Sequence, residues 1–326
     1  MTSHDSRLLV SRRGLLGLAG LGALGAAAAF GLSGCVARPP ATRLRVAGGE
    51  AGGLYQEFAT LLADALTRHD VAEHSEALVS EASRENIELI VAGEADLGLA
   101  LLDTVAASDE VAGGDVVAIG RIYQNYFHCV VRRDGPVRTV ADLSGRVVAT
   151  GAPGSGTRLT GGRILEAAGL TGPAAPSQDL RLGLNDGLQA LERGDVDAMM
   201  ISGGIPIGSI TALNERLGLR LLDLSSVLPE LRHRYPGVYE QGVVPEHTYA
   251  GTDTIGTVGV ANLLLCRPDL DDRVVAEVVE LLIEHAGALV PASSAGIQFL
   301  SPETLISTGG QPLHPAAAEA YRRFHG

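Results

Sequence analysis

Along most of the chain, short apolar runs alternate with longer stretches whose apolar residues recur every three or four positions. The short runs are rich in Val, Ile, Leu and Ala and read as buried strands: residues 44–47, 96–101, 116–123, 127–132, 147–149, 198–202 and 220–223, with a further strand-like run over 258–265. Between them the helical spacing is plain. Leu54, Phe58, Leu61, Leu62 and Leu66 put one apolar face on a helix over 54–67. The same periodicity predicts helices near 84–92, 159–168, 185–193, 205–217, 273–288 and 315–324, and a helical turn at 140–143. Strands interleaved with helices imply an α/β architecture with mainly parallel strands. About 290 residues beyond the N-terminal segment exceed one typical core, so two lobes are expected. No internal repeat and no low-complexity segment is visible in this part of the chain.

One junction carries the most chemistry. Residues 147–149 form a short strand, Gly151 to Gly156 a loop with three glycines and a proline, and a helix begins at Thr157. A helix start leaves its first N–H groups without intrahelical partners and gathers the positive end of the helix dipole. That spot suits an anion. Gly151 and Gly156 have the spacing of a phosphate-binding loop, but Thr157 stands where that motif needs lysine. The chain contains no lysine; all 25 basic residues are arginine. A Walker-type nucleotide site, a Schiff-base enzyme and a serine–lysine dyad are thereby excluded, and a small carboxylate is favoured. An ordinary turn that binds nothing would have the same residues. Two more glycine runs follow strands, Gly48-Gly49-Glu50-Ala51-Gly52-Gly53 and Ser202-Gly203-Gly204. Ligands of open α/β sheets sit beyond the carboxyl ends of strands, so the three loops can face a common cleft. Glycine that merely permits tight turns is the plainer alternative.

The N-terminus sets an expected compartment. Arg12-Arg13 precedes an apolar run over 15–32 that closes on Leu32-Ser33-Gly34-Cys35. Charged start, apolar middle and small residues at the end describe an export signal over 1–34. The closing tetrapeptide also matches the lipobox of bacterial lipoproteins, which makes Cys35 the expected lipid attachment point and 35–42 a short tether. A single membrane-spanning anchor is the alternative, since the run approaches the required length. Lipidation would place the protein on the outer face of the cytoplasmic membrane. Residues 1–34 carry Arg7, Arg12, Arg13 and Asp5, so their removal takes the net charge from −13 to about −15. Such acidity argues against nucleic acid as a partner and requires a locally positive cleft for an anion. Cys129 and Cys266 lie in apolar runs and read as buried free thiols, with a disulfide between them left open. No HExxH, CxxC or spaced His pair points to a metal, and no motif points to a cofactor. His128 reads as a core residue, and Ser155 lacks a visible His–Asp arrangement.

Several segments together resemble the TAXI solute receptors of TRAP transporters. They are Gly49-Glu-Ala-Gly-Gly-Leu-Tyr55, the run from Asn86 to Ala100, Thr139 to Arg146, Gly154-Ser-Gly-Thr157, Ile164 to Leu170, Asp195-Val-Asp-Ala198 and Pro312-Leu-His-Pro315. The resemblance covers about residues 43–324. It implies a two-lobed periplasmic-binding-protein fold of type II, two mixed sheets flanked by helices, with a ligand cleft between the lobes. The first lobe would hold 43–125 plus 245–326, the second 126–244, with hinges near 123–127 and 243–249. A receptor of this kind captures a small organic acid or a glutamate-like amino acid and delivers it to a TRAP-type permease.

The residues fit such a cleft. Tyr55 can place its ring and hydroxyl on the solute, and Gly52 and Gly53 let backbone N–H groups approach it. Ser155, Gly156 and Thr157 offer hydroxyls and N–H groups to a carboxylate, and Arg158 can add a bidentate contact. Ser202 and Gly203 close the pocket. The chain departs from the family at Val79-Ser-Glu-Ala-Ser83, where a Ser-Thr-Gly-Gly-Ser run is usual, at Leu101-Leu102, where a Gln is usual, and at Gln124-Asn125, where Pro-Glu is usual. Glu50 adds an acid to the first loop. The expected solute therefore turns an apolar or cationic end to the first lobe and an acid to the second. Two other functions share these residues: a receptor that hands its closed form to a signalling partner, and a dehydratase-like cleft enzyme with Glu50 as its acid.

Overall fold

The computed structural model describes residues 41–291 and 300–325. The expected export signal, Cys35 and nearly all of the tether lie outside the described residues.

Two units with the same wiring make up the two halves. In the first, β1 (Leu44–Ala47), α1 (Leu54–Arg68), β2 (Ser75–Leu78), α2 (Ser83–Val91) and β3 (Leu97–Leu101) put β1 in the middle, parallel to β2 and β3. Short helices α3 (Leu102–Ala106) and α4 (Asp109–Ala112) lead into the long strand β4 (Val117–Arg132). In the second unit, β5 (Val147–Ala149), α5 (Gly156–Ala167), β6 (Gln178–Leu180), α6 (Leu184–Arg193) and β7 (Ala198–Gly203) put β5 between β6 and β7. Helix α7 (Gly208–Leu217), β8 (Leu219–Leu221), α8 (Leu228–Arg234) and β9 (Tyr239–Val244) complete that half. Strand β10 (Ile255–Cys266) returns to the first, where α9 (Asp272–Glu284), α10 (Pro302–Leu305) and α11 (Pro315–His325) pack.

The strands form one ten-stranded mixed sheet in the order β2-β1-β3-β10-β4-β7-β5-β6, with β8 on β4 and β9 on β10. The two expected sheets are continuous because β4 and β10 run antiparallel through both halves. The early part of β4 pairs with the end of β10, Ala118 opposite Leu265, and its later part, Tyr126 to Val131, pairs with β7. Sequence predicted two strands broken at Gln124-Asn125; the backbone stays extended there, with Gln124 opposite Ala261 and Asn125 opposite Val260. Val243 lies in β9, and Tyr249 in the loop behind it packs with Ile207 and Leu213 of the second half.

Each half sets its strand register with an aspartate. Asp96 Oδ2 accepts the Arg45 N–H at 2.8 Å while the Asp96 N–H donates to Arg45 O at 2.9 Å. Asp197 does the same for Val147, at 3.0 and 2.8 Å. Each carboxylate satisfies an N–H at the entry of a buried strand, where a missing partner would cost about 1–3 kcal/mol. The Asp of Gly93-Glu-Ala-Asp96 and of Gly194-Asp-Val-Asp197 is thus structural, and the shared wiring appears without a visible sequence repeat.

Helix α1 forms as its periodicity predicts and buries Phe58, Leu62 and Leu66 against Val46, Leu97 and Leu99. Each fully buried side chain of that size contributes about 1.5–3 kcal/mol. The helix predicted over 205–217 starts only at Gly208. Asn86 is wholly buried: its Nδ2 donates to Gly48 O and Leu99 O, each at 2.7 Å, and its Oδ1 accepts from Ser80 Oγ at 2.6 Å. One amide thereby ties together the carboxyl ends of β1 and β3, where the first glycine loop begins. No helix among the described residues is long and apolar enough to cross a membrane.

Candidate functional site

Beyond the carboxyl ends of β1, β3, β5 and β7 lies a cavity of about 130 Å³ between the halves. All three glycine loops reach it. From the first come Gly52 and Gly53, with Tyr55 in the opening turn of α1; from the second, Ser155, Gly156 and Thr157; from the third, Ser202 and Gly203. Arg158 is the exception. Its guanidinium pairs with Asp179 and donates to Thr150 Oγ1, lining a separate cleft on the other side of α5.

Local chemistry places these groups. Gly151 sits at φ +102°, which side chains other than glycine rarely adopt, and an added Cβ would lie 2.8 Å from Ser155 Oγ. That turn aims the start of α5 into the cavity. Ser155 is the N-cap and accepts from the Arg158 N–H at 3.3 Å, which leaves the N–H groups of Gly156 and Thr157 without intrahelical partners. Thr157 Oγ1 accepts from the Ser202 N–H at 3.1 Å and so fixes the third loop against the second. The Tyr55 hydroxyl, expected on the solute, donates to Asn262 Oδ1; the ring is buried edge-on to Tyr123, and the residue lines the cavity. Sequence reasoning met Glu81, Ser83 and Asn125 only as departures from the resembled family and passed over Glu57 and Leu184; all five are on the cavity wall.

The two halves touch across this space. Glu50 Oε2 accepts the Leu184 N–H at 2.8 Å, capping α6, whose own N-cap Gly183 has no side chain to do so. Glu81 Oε2 accepts the Gly154 N–H at 2.7 Å, and the Arg84 N–H donates to Gly154 O at 2.9 Å. Gly156 fits so closely that an added Cβ would stand 2.6 Å from both Leu101 Cδ1 and Ser83 Oγ. Burial raises the Glu50 carboxyl above its ordinary range; the Leu184 N–H opposes this, and the nearby Glu81 and Asp186 charges add to it.

Away from the cavity, Asp103 is wholly buried between the halves and accepts from Thr160 Oγ1 at 2.6 Å and Tyr239 Oη at 2.9 Å. Desolvation raises its pKa, and those two donors with Arg163 oppose the rise. His128 is equally buried, its ring nitrogens against Tyr126 O at 3.0 Å and Tyr249 Oη at 3.1 Å. Desolvation pushes its pKa down to about 4. Cys129 and Cys266 are buried free thiols, each pushed up to about 12 by burial. Among the described residues no group of three His, Cys, Asp or Glu side chains gathers as a metal set.

Proteins of known structure share this architecture. XAC2383 of Xanthomonas citri, bound to chloride ion, is similar with a TM-score of 0.51 at 14% identity, over 87% of this chain and 99% of that one. A protein of Bordetella bronchiseptica RB50 is similar with a TM-score of 0.51 at 12% identity, over 87% and 98%. The periplasmic aliphatic sulphonate binding protein SsuA of Escherichia coli matches at 20% identity over 86% of this chain and 83% of that one, with a TM-score of 0.45. The class these define is an α/β chain whose curled mixed sheet is flanked by helices. Within that class the chain belongs to the NMT1-like family, whose sequence model matches residues 46–323.

Proposed function

We propose that the protein is an extracytoplasmic solute receptor of the TAXI kind, which encloses a small organic acid or glutamate-like amino acid and delivers it to a TRAP-type permease. The observation that carries this reading is the convergence of three glycine turns, from both halves, on one cavity. In this reading the solute carboxylate takes the free N–H groups of Gly156 and Thr157, with the hydroxyls of Ser155, Thr157 and Ser202 beside it. Ring and backbone of Gly52, Gly53 and Tyr55 form the opposite wall. The lobes 43–125 plus 245–326 and 126–244 close by bending where β4 and β10 pass side by side, near residues 123–127 and their partners in β10. Export through residues 1–34 and a lipid on Cys35 hold the receptor at the outer face of the cytoplasmic membrane. Closure buries the solute, and the closed shape is what the permease recognises.

Isothermal titration with amino acids and small organic acids tests the reading, together with Thr157→Ala. Loss of one hydroxyl from a charged contact is expected to weaken binding by about 1–2 kcal/mol. Unchanged affinity would remove Thr157 from the site. A solute recovered chemically unchanged supports a receptor; a new product by mass spectrometry would favour the cleft enzyme with Glu50 as its acid.

A further inference from the structure

We infer, building on the reading of this cavity as the solute site, that the solute is a compact zwitterionic amino acid with an uncharged side chain, its ammonium held by Glu50, Glu81 and Asn125. The charged side chains on the cavity wall are Glu50, Glu57 and Glu81, all carboxylates, with no arginine or histidine among the lining residues. Arg158, next along from the cavity, is turned away and paired with Asp179. The positive complement for an anion is then the first turn of α5, which offers N–H groups enough for one carboxylate. A second carboxylate would face the acids.

Asn125 supplies the independent observation. It is 2% exposed, sits where β4 passes between the halves, and lines the cavity. Its Nδ2 donates to Ser202 Oγ at 3.2 Å, while Oδ1 has no hydrogen-bond partner. A buried acceptor left unpaired is costly, and an N–H of the solute would satisfy it. Glu50 and Glu81 each spend Oε2 on a backbone N–H across the cavity, at 2.8 and 2.7 Å, and keep Oε1 for a further donor. The desolvation and like charge that raise the Glu50 carboxyl are relieved by a cation placed between the acids. A cavity of about 130 Å³ suits a compact solute.

The test titrates the full chain with the twenty common amino acids, with succinate and 2-oxoglutarate, and with the 2-hydroxy acid matching each amino acid that binds. The expected result is a neutral amino acid bound at least about 100-fold tighter than its 2-hydroxy analogue or either dicarboxylate. Glu81→Gln, whose amide oxygen can still accept from Gly154, is expected to lower amino-acid affinity more than about tenfold while sparing the hydroxy acid. These magnitudes follow from losing a charge-assisted contact. A dicarboxylate or hydroxy acid bound as tightly as the amino acid overturns the inference and leaves the receptor intact. If no compound binds, both fall.

Discussion

His128 is the residue whose protonation the fold resists most clearly. Its imidazole is sealed between Tyr126 O and Tyr249 Oη, and its pKa falls from the ordinary 6.5 to about 4. As pH drops through 6.5 the unfolded chain takes up a proton that the folded chain refuses until about 4. Stability from the neutral ring is therefore full above 6.5 and is lost across the window from 6.5 to 4, to a total of about 3 kcal/mol. Denaturant unfolding from pH 7 to pH 4 should show this loss in the wild type relative to His128→Gln. Parallel curves for the two proteins would mean that the ring titrates normally. In sequence, His128 already read as a core residue from the apolar neighbours on its strand. Asn125 stood out only as half of a pair that departs from the resembled family; its burial was hidden, because a polar pair inside an apolar run looks like a break in a strand.

At the level of elements, the strands and helices with strong apolar patterns were legible. β1, β3, β5 and β7, the four that carry the cavity, each show a buried run, and α1 shows its stripe. The strands passed over are chiefly those at edges. β2 reads Ser-Glu-Ala-Leu and is only partly buried, and β6 reads Gln-Asp-Leu with two exposed residues. An edge strand has one neighbour and little to bury, so its residues carry no apolar signature. The glycine loops announced the cavity, but not which side of α5 Arg158 would take; that depends on Asp179, brought alongside by β6. The contact between α5 and the first half gives a test of closure. Gly156→Val would press a side chain into Leu101 and Ser83, a clash of the kind that costs about 1–3 kcal/mol. It is expected to hold the halves apart, seen as a larger radius by small-angle X-ray scattering with solute present. A radius identical to that of the wild type would show that closure does not depend on this contact.

For the whole molecule, the sequence conveyed the α/β class, while the duplicated wiring emerged only from the strand pairing, with Asp96 and Asp197 at matching positions. Gly93-Glu-Ala-Asp96 and Gly194-Asp-Val-Asp197 match over four residues only, too short a stretch to show as a repeat. Attachment is decided at this scale too. If Cys35 bears the lipid, Cys35→Ser should move the protein from the membrane pellet to the soluble fraction after cell fractionation, and an unchanged distribution would count against lipidation.

The passage of β4 and β10 through both halves has a practical consequence for anyone dissecting the protein. Neither half is a detachable module. Excising residues 126–244 would cut through β4 and strip β9 and Tyr126 of the β10 residues they pair with. The bared amides and carbonyls would seek new neighbours, so such a fragment is expected to form insoluble aggregates rather than a small binding domain.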